Sequence, residues 1–238
     1  MEQQKKRLRT AVGRGYDHTL GKILPSDRLL AVLFCLLLNS IVYWGAQTVT
    51  SGWTMLDMTT AIDRWIPLMP AWTFIYVGAY LFWAVGYVLM ARGRNWYSIM
   101  TAEVFAKLIC GAFFLLLPTT NLRPTLSAGT VGAWLLEFIY ESDAASNLFP
   151  SIHCLESWIC FTGLRNRKDV PKWYRVFSGI FAVLVCVSTL MIRQHVIADV
   201  IAGVLLAEVS IRLSSRFGAG NRLYRAFNGL DRKIFGWN

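Results

Sequence analysis

Apolar residues are gathered into six stretches separated by shorter polar segments. They run Leu29 to Val49, Ala71 to Met90, Tyr97 to Leu117, Phe149 to Leu164, Trp173 to Ile192 and Val196 to Leu213. Each approaches the ~20 residues that an α-helix needs to cross a bilayer core, and proline occurs only near their ends. The pattern predicts an all-α fold, an integral membrane bundle of six transmembrane helices. Glu103 and Lys107 interrupt the third stretch at i, i+4 spacing, which predicts a structural ion pair, with Glu156 of the fourth stretch in reach of Lys107. Asn39 and Glu208 are read as packing or headgroup residues. In the loops, Val131, Trp134, Leu135, Phe138 and Ile139 recur at helical spacing, with Glu137, Glu141 and Asp143 on or beyond the other face. That predicts a short helix lying in the interface. Trp53 to Trp65, followed by Pro67, reads the same way.

Composition agrees about the solvent. Of 238 residues, 55% are hydrophobic and only 16% charged, with a mean hydropathy of +0.43. Soluble domains carry ~25% charged residues. A disordered tail, a secreted disulfide scaffold and a solenoid are all excluded. Five cysteines, Cys35, Cys110, Cys154, Cys160 and Cys186, are scattered singly and read as small buried hydrophobes. The first apolar stretch follows a basic leader of 28 residues with no clean cleavage site after it, so it is read as a span and not a signal peptide.

The net charge of +10 would suit a nucleic-acid binder, but its placement argues against one. With six spans, seven Lys and Arg precede the first, two follow the second, five follow the fourth and six lie from Arg212 onward. Only Arg64, Arg123 and Arg193 fall on the other side, and Lys107 lies within a span. By the positive-inside rule both termini are cytoplasmic. Trp96-Tyr97 and Trp173-Tyr174 then mark the inner interface, and Trp53, Trp65 and Trp72 the outer one. The expected organisation is a basic cytoplasmic tail over 1–28, a membrane domain over 29–213 and a basic cytoplasmic tail over 214–238. The expected localisation is the cell membrane, with membrane lipids and no nucleic acid as partners.

Three histidines are present, and His18, in the basic leader, is given no role. His153 starts the fourth span and His195 lies between the fifth and sixth, both on the outer side together with Arg123. Asp199, four residues after His195 on the same helix, shares its face. It would fix the imidazole tautomer and strengthen the free nitrogen as a nucleophile. Arg123 offers a fork of donors suited to phosphate oxygens. Pro150 and Ser151 open a helix whose free N–H groups favour an anion. His153, in the first turn, is placed to protonate a leaving alkoxide. Two histidines and an aspartate could hold a metal, yet Arg123 and Arg193 beside them argue for a bound anion. No metal and no cofactor are expected. Cys154 adjoins His153 but faces elsewhere on a helix, so no thiol role follows.

Phe149-Pro-Ser-Ile-His153 and Gln194-His195-x-x-x-Asp199, preceded by Arg123-Pro124, resemble the three motifs of the type-2 phosphatidate phosphatase superfamily. The resemblance spans about residues 50 to 213. It implies a six-span lipid phosphatase or phosphotransferase working without metal through a phosphohistidine. His195 would be the nucleophile, Asp199 its partner and His153 the acid, with Arg123 and Ser151 on the phosphate. The pattern departs from the family at Leu116, where a lysine is usual, at Ile152, where glycine is usual, and at Thr189, where arginine is usual. Arg193 is expected to supply lost charge at the phosphate. The reduced pattern is similar to the branch containing inositol phosphorylceramide synthase, some of whose members transfer a phospho-headgroup to an alcohol. A non-catalytic lipid-phosphate binding or transport protein is the alternative from another class. Its weakness is that binding needs no ordered nucleophile. A rhomboid-type protease would need a Gly-x-Ser-Gly-like nucleophile, which is not found.

Overall fold

The computed structural model describes residues 16, 20–25, 28–126, 129–218 and 220–235. His18 and most of the leader lie outside them. Helix α1, Leu29–Val49, contains a π-helical turn at Ile41–Gly45. A short strand β1, Leu56–Asp57, and a five-residue helix α2, Ala61–Trp65, follow. Next come α3, Thr73–Ala91, and α4, Trp96–Leu116. Strand β2, Thr119–Thr120, pairs in parallel with β1, Leu56 opposite Thr119. Then come α5, Val131–Ser142; α6, Ile152–Leu164; α7, Lys172–Met191; α8, Ile197–Phe217; and α9, Gly220–Phe235.

Four helices among the described residues are long and apolar enough to cross a membrane: α1, α3 with its preceding turn, α4 and α7. The chain is therefore a membrane protein. Helix α6 differs in kind. Its 13 residues rise ~20 Å, and ten of them are buried. It packs against α3, α4, α7 and α8 as the central helix. Leu155, Ile159 and Leu164 join Met90, Trp96 and Phe114 in one apolar core. The fourth apolar stretch becomes helical only after Ser151, whose hydroxyl caps the helix by accepting the Cys154 N–H at 3.3 Å.

Close packing here relies on small residues, the rule where no aqueous driving force pulls helices together. A Cβ on Gly203 of α8 would stand 2.5 Å from the Ser151 carbonyl oxygen. That approach lets the Ser151 N–H donate to the Asp199 carbonyl at 3.1 Å, which locks the start of α6 onto the start of α8.

Three expectations are revised. Trp53 to Trp65 is helical only over Ala61–Trp65, because Thr60 and Asp63 form a capping box that starts the helix late and the preceding residues pair as β1. The ion pair of Lys107 is with Glu156 across the α4–α6 interface, not with Glu103 one turn away. Glu156 also accepts the Tyr87 hydroxyl at 2.9 Å, so its carboxylate is held facing Lys107. The third concerns the basic C-terminal stretch, over which the sequence reading has no helix and where a helix is present. Gly218 ends α8 in the left-handed region at φ 56°, and α9 lies against α4, Tyr224 edge-on to Tyr97 at 5.2 Å. A helix does form at Val131–Ser142, capped by Thr130. All five cysteines are free and buried.

Candidate functional site

The starts of α6 and α8 meet, and this places the two histidines together. Their ring centroids are 6.1 Å apart. His195 is not on α8 but two residues before its first turn. Arg193 takes a left-handed φ of 53°, and the N–H groups of Gln194 and His195 both donate to the Thr189 carbonyl, at 2.9 and 3.1 Å. That tight turn folds His195 over the helix start. Nδ1–H of His195 then donates to Oδ2 of Asp199 at 3.2 Å, and the Val196 N–H donates to the same oxygen at 3.0 Å. The pair expected from helical i, i+4 spacing therefore arises from an N-terminal capping arrangement. Asp199 is fully buried, and His195 nearly so.

His153, half-buried, is the second residue of α6. The Tyr76 ring stacks on its imidazole at 4.3 Å, the Trp83 ring lies at 5.2 Å, and the Tyr80 hydroxyl is 3.4 Å from its Nε2. Ser151 is buried, and its hydroxyl proton is free to donate while its oxygen caps α6.

Arg123 reaches the site through Gln194. One guanidinium nitrogen donates to Gln194 Oε1 at 2.7 Å, and another to the carbonyls of Tyr140 and Asp143. The guanidinium lies over the Tyr140 ring at 4.8 Å from its centroid. Its Nε–H has no partner among the described residues.

Arg193 is not brought to the site. Its guanidinium donates to the carbonyls of Asp63, Arg64 and Ile66 and so ties the α2 segment to the α7–α8 turn. The left-handed turn that brings His195 inward is what sends Arg193 outward. Asp63 reinforces the same tie by accepting the Ile197 N–H at 2.8 Å. Burial opposes the charge on Asp63, but the Thr60 hydroxyl and the N–H groups of Ile197 and Thr60 hold its carboxyl below the usual carboxylate range.

Gln194, Asn147, Tyr76, Tyr80 and Trp83 had no assigned role in the sequence reading. Gln194 and Asn147 are buried, and both side-chain amide nitrogens lack an acceptor among the described residues. Asn147 and Gln194 line a small cleft together with both histidines. The i, i+4 spacing of Tyr76 and Tyr80 was visible, but their shared target, His153, lies on a distant segment.

The arrangement sets two imidazoles on one small cleft, one of them oriented by a carboxylate, with the Gln194 and Asn147 side chains beside them and Arg123 joined to the cleft through Gln194. Among the described residues no three His, Cys, Asp or Glu side chains converge as a metal-ligand set.

The family model described as PAP2 superfamily matches residues 97–222, which include every one of these site residues that lies on α6, α8 or the segments before them. No curated protein and no solved structure gave a match. The match covers more than half of the chain, and the chain belongs to the PAP2 superfamily, whose members act as phosphatases or phosphotransferases on phosphate esters.

Proposed function

We propose that this PAP2-superfamily protein is a lipid phosphatase that cleaves a phosphoester or diphosphate through a phosphohistidine intermediate, with no metal. The observation that carries this reading is the His195–Asp199 hydrogen bond of 3.2 Å with the His153 ring 6.1 Å from that of His195. Nε2 of His195 attacks phosphorus and forms the P–N bond. The P–O bond to the lipid alcohol breaks, and its oxygen takes a proton from His153. Asp199 accepts Nδ1–H and stabilises the positive charge that develops on the ring. Arg123, the Ser151 hydroxyl and the N–H groups opening α6 bind the non-bridging oxygens. Water, deprotonated by His153, then attacks phosphorus and releases phosphate and free His195.

Six membrane spans, with α6 and α8 completing the four apolar ones, both termini cytoplasmic and the site extracytoplasmic belong to the same proposal. A second reading replaces water with an alcohol, as in the inositol phosphorylceramide synthase-like branch. It is supported by Leu116 and Thr189 where hydrolase-type motifs carry basic residues, and by the engagement of Arg193 elsewhere.

The test is single-turnover reaction with an activated aryl phosphate and with lipid phosphates, with and without chelator. The wild type and His153→Ala should give a burst of phosphoenzyme, and His195→Ala none. With lipid phosphates, whose leaving groups are poor, His153→Ala should slow the burst by roughly 10²–10⁴. Phosphate trapped on His153, Ser151 or Cys154, or turnover lost in chelator and restored by metal, would overturn the reading. Released phosphate equal to substrate consumed in excess alcohol would exclude transfer to that alcohol.

A further inference from the structure

On the His153 side of the site, a cavity of about 430 Å³ opens between α1, α3 and α5. Tyr43, Trp44, Tyr76, Tyr80, Trp83 and Asp143 are among the residues that line it. The rings stand at angles to each other, Tyr43 to Trp44 at 5.3 Å and Tyr80 to Trp83 at 5.0 Å, so several present faces or edges to one space. The Tyr43 hydroxyl donates to one carboxylate oxygen of Asp143 at 2.5 Å. Asp143 is only half-buried, which leaves its other oxygen reachable from the cavity. Asn39 adds a buried amide oxygen with no donor among the described residues. No lysine or arginine lines the space. Aromatic faces, a carboxylate and an amide oxygen all attract a cation. A cavity meant for an acyl chain alone would gain nothing from the carboxylate and would bear the cost of desolvating it.

We propose that this cavity binds the quaternary ammonium end of a phosphoester substrate, a choline-type headgroup. The inference rests on the phosphoester reading above and names its substrate class, a phosphodiester. When the P–O bond to the lipid alcohol breaks, phosphocholine stays on His195, and water or an alcohol then carries it off as phosphocholine rather than free phosphate. The link between anion and cation is a single residue. Asp143 gives its carbonyl to the Arg123 guanidinium, the proposed phosphate ligand, and its carboxylate to the cavity. A phosphate and a methylated ammonium joined by a short carbon spacer match that juxtaposition. Methylation matters, because a primary ammonium is strongly hydrated and an aromatic wall replaces little of that hydration.

Equilibrium binding tests this in the full chain carrying His195→Ala, so that no turnover intervenes. Short-chain phosphatidylcholine, phosphatidylethanolamine, phosphatidylinositol and phosphatidate are titrated in detergent, with tryptophan fluorescence as the signal. The choline lipid should bind about tenfold or more tighter than phosphatidate. That ratio should fall toward unity in Asp143→Asn. It should fall further in Trp44→Leu than in Trp44→Phe; Trp44 is half-exposed, so its replacement leaves the fold intact. Equal binding of phosphatidate, a preference for the inositol lipid, or an unchanged ratio in both Asp143→Asn and Trp44→Leu would overturn the proposal. The phosphoenzyme experiment is separate. A missing burst with the choline preference intact would sink the catalytic reading alone, and a normal burst without the preference would sink this one alone.

Discussion

Asp199 serves two donors with one oxygen, the His195 imidazole and the Val196 amide. Asp199→Asn keeps an acceptor for the backbone but can turn an amide N–H toward His195, which favours the wrong tautomer. Turnover should fall by roughly 10²–10⁴ while thermal stability stays near that of the wild type; steady-state rates and melting in the same detergent check both halves. Asp63 offers a pH test. Its carboxyl sits below the ordinary value of 3.8 in the folded chain, so the stabilisation is present above that value and is lost as pH falls through the folded one. Asp63→Asn should therefore melt lower than the wild type near neutral pH, and the two should converge once acidification protonates the folded carboxyl. A gap that widens on acidification would contradict the hydrogen-bonded role. The residue types and spacing pointed to His153, His195, Asp199, Arg123 and Ser151 as candidates, because chemistry at phosphorus asks for a nucleophile, an acid and donors, and the fold brings both histidines and Asp199 together. The destination of Arg193 was not legible. A left-handed φ at one residue decides which of two neighbouring side chains points inward, and no pattern in Ile192-Arg-Gln-His195 announces it. Gln194, Asn147 and the aromatic residues around His153 were hidden for another reason: their partners lie across helices far apart in sequence.

At the scale of elements, hydrophobic period and length located the helices well. Helices α1, α3, α4 and α7 start and end within about two residues of the apolar stretches, since the bilayer requirement on length leaves little freedom. Helix α6 shows where such reading stops. Its run of apolar residues looks like a span, yet its burial on nearly every side comes from neighbours that the pattern does not name. The same holds for Lys107, whose i, i+4 neighbour was the obvious partner and whose actual partner is across the interface. Breaking a buried pair leaves one charge uncompensated, at a cost of about 3–5 kcal/mol, whereas replacing both members by apolar residues is often neutral. Lys107→Met should therefore lower the yield and melting temperature of purified protein sharply. Adding Glu156→Met should restore most of the loss. Additive damage in the double variant would mean that the two side chains do not act as a pair. Gly203 makes a comparable demand without charge. Any side chain there meets the Ser151 carbonyl, so Gly203→Val should separate the starts of α6 and α8 and reduce turnover more than it lowers expression.

Across the whole molecule, charge and chemistry occupy opposite ends. Arg92, Arg94, Arg165, Arg167, Lys168 and Arg216 surround one large cleft, at the junctions of α3 with α4 and of α6 with α7 and near the end of α8. Both histidines, Asp199 and Arg123 lie at the other ends of these helices, where α4 and α7 finish and α6 and α8 begin. Some arginines at the basic end are paired, Arg165 and Arg212 with Glu208 and Arg167 with Asp169, but the basic excess remains. A cytoplasmic leaflet rich in anionic headgroups attracts such an end, and insertion retains Lys and Arg on that side. The orientation expected is thus a cytoplasmic basic end with both termini, and a site exposed to the outer leaflet and its lipids. Single cysteines introduced at Ser142 and at Asn166, in a chain whose five native cysteines are buried, give the test. In intact cells a membrane-impermeant maleimide should label the Ser142→Cys variant and leave Asn166→Cys unlabelled until the membrane is permeabilised. The reverse pattern would turn the molecule over and put the phosphoester chemistry in the cytoplasm. Labelling of both sites in sealed cells would instead break the assumption that α6 carries the chain across, because Ser142 and Asn166 are separated by that helix alone.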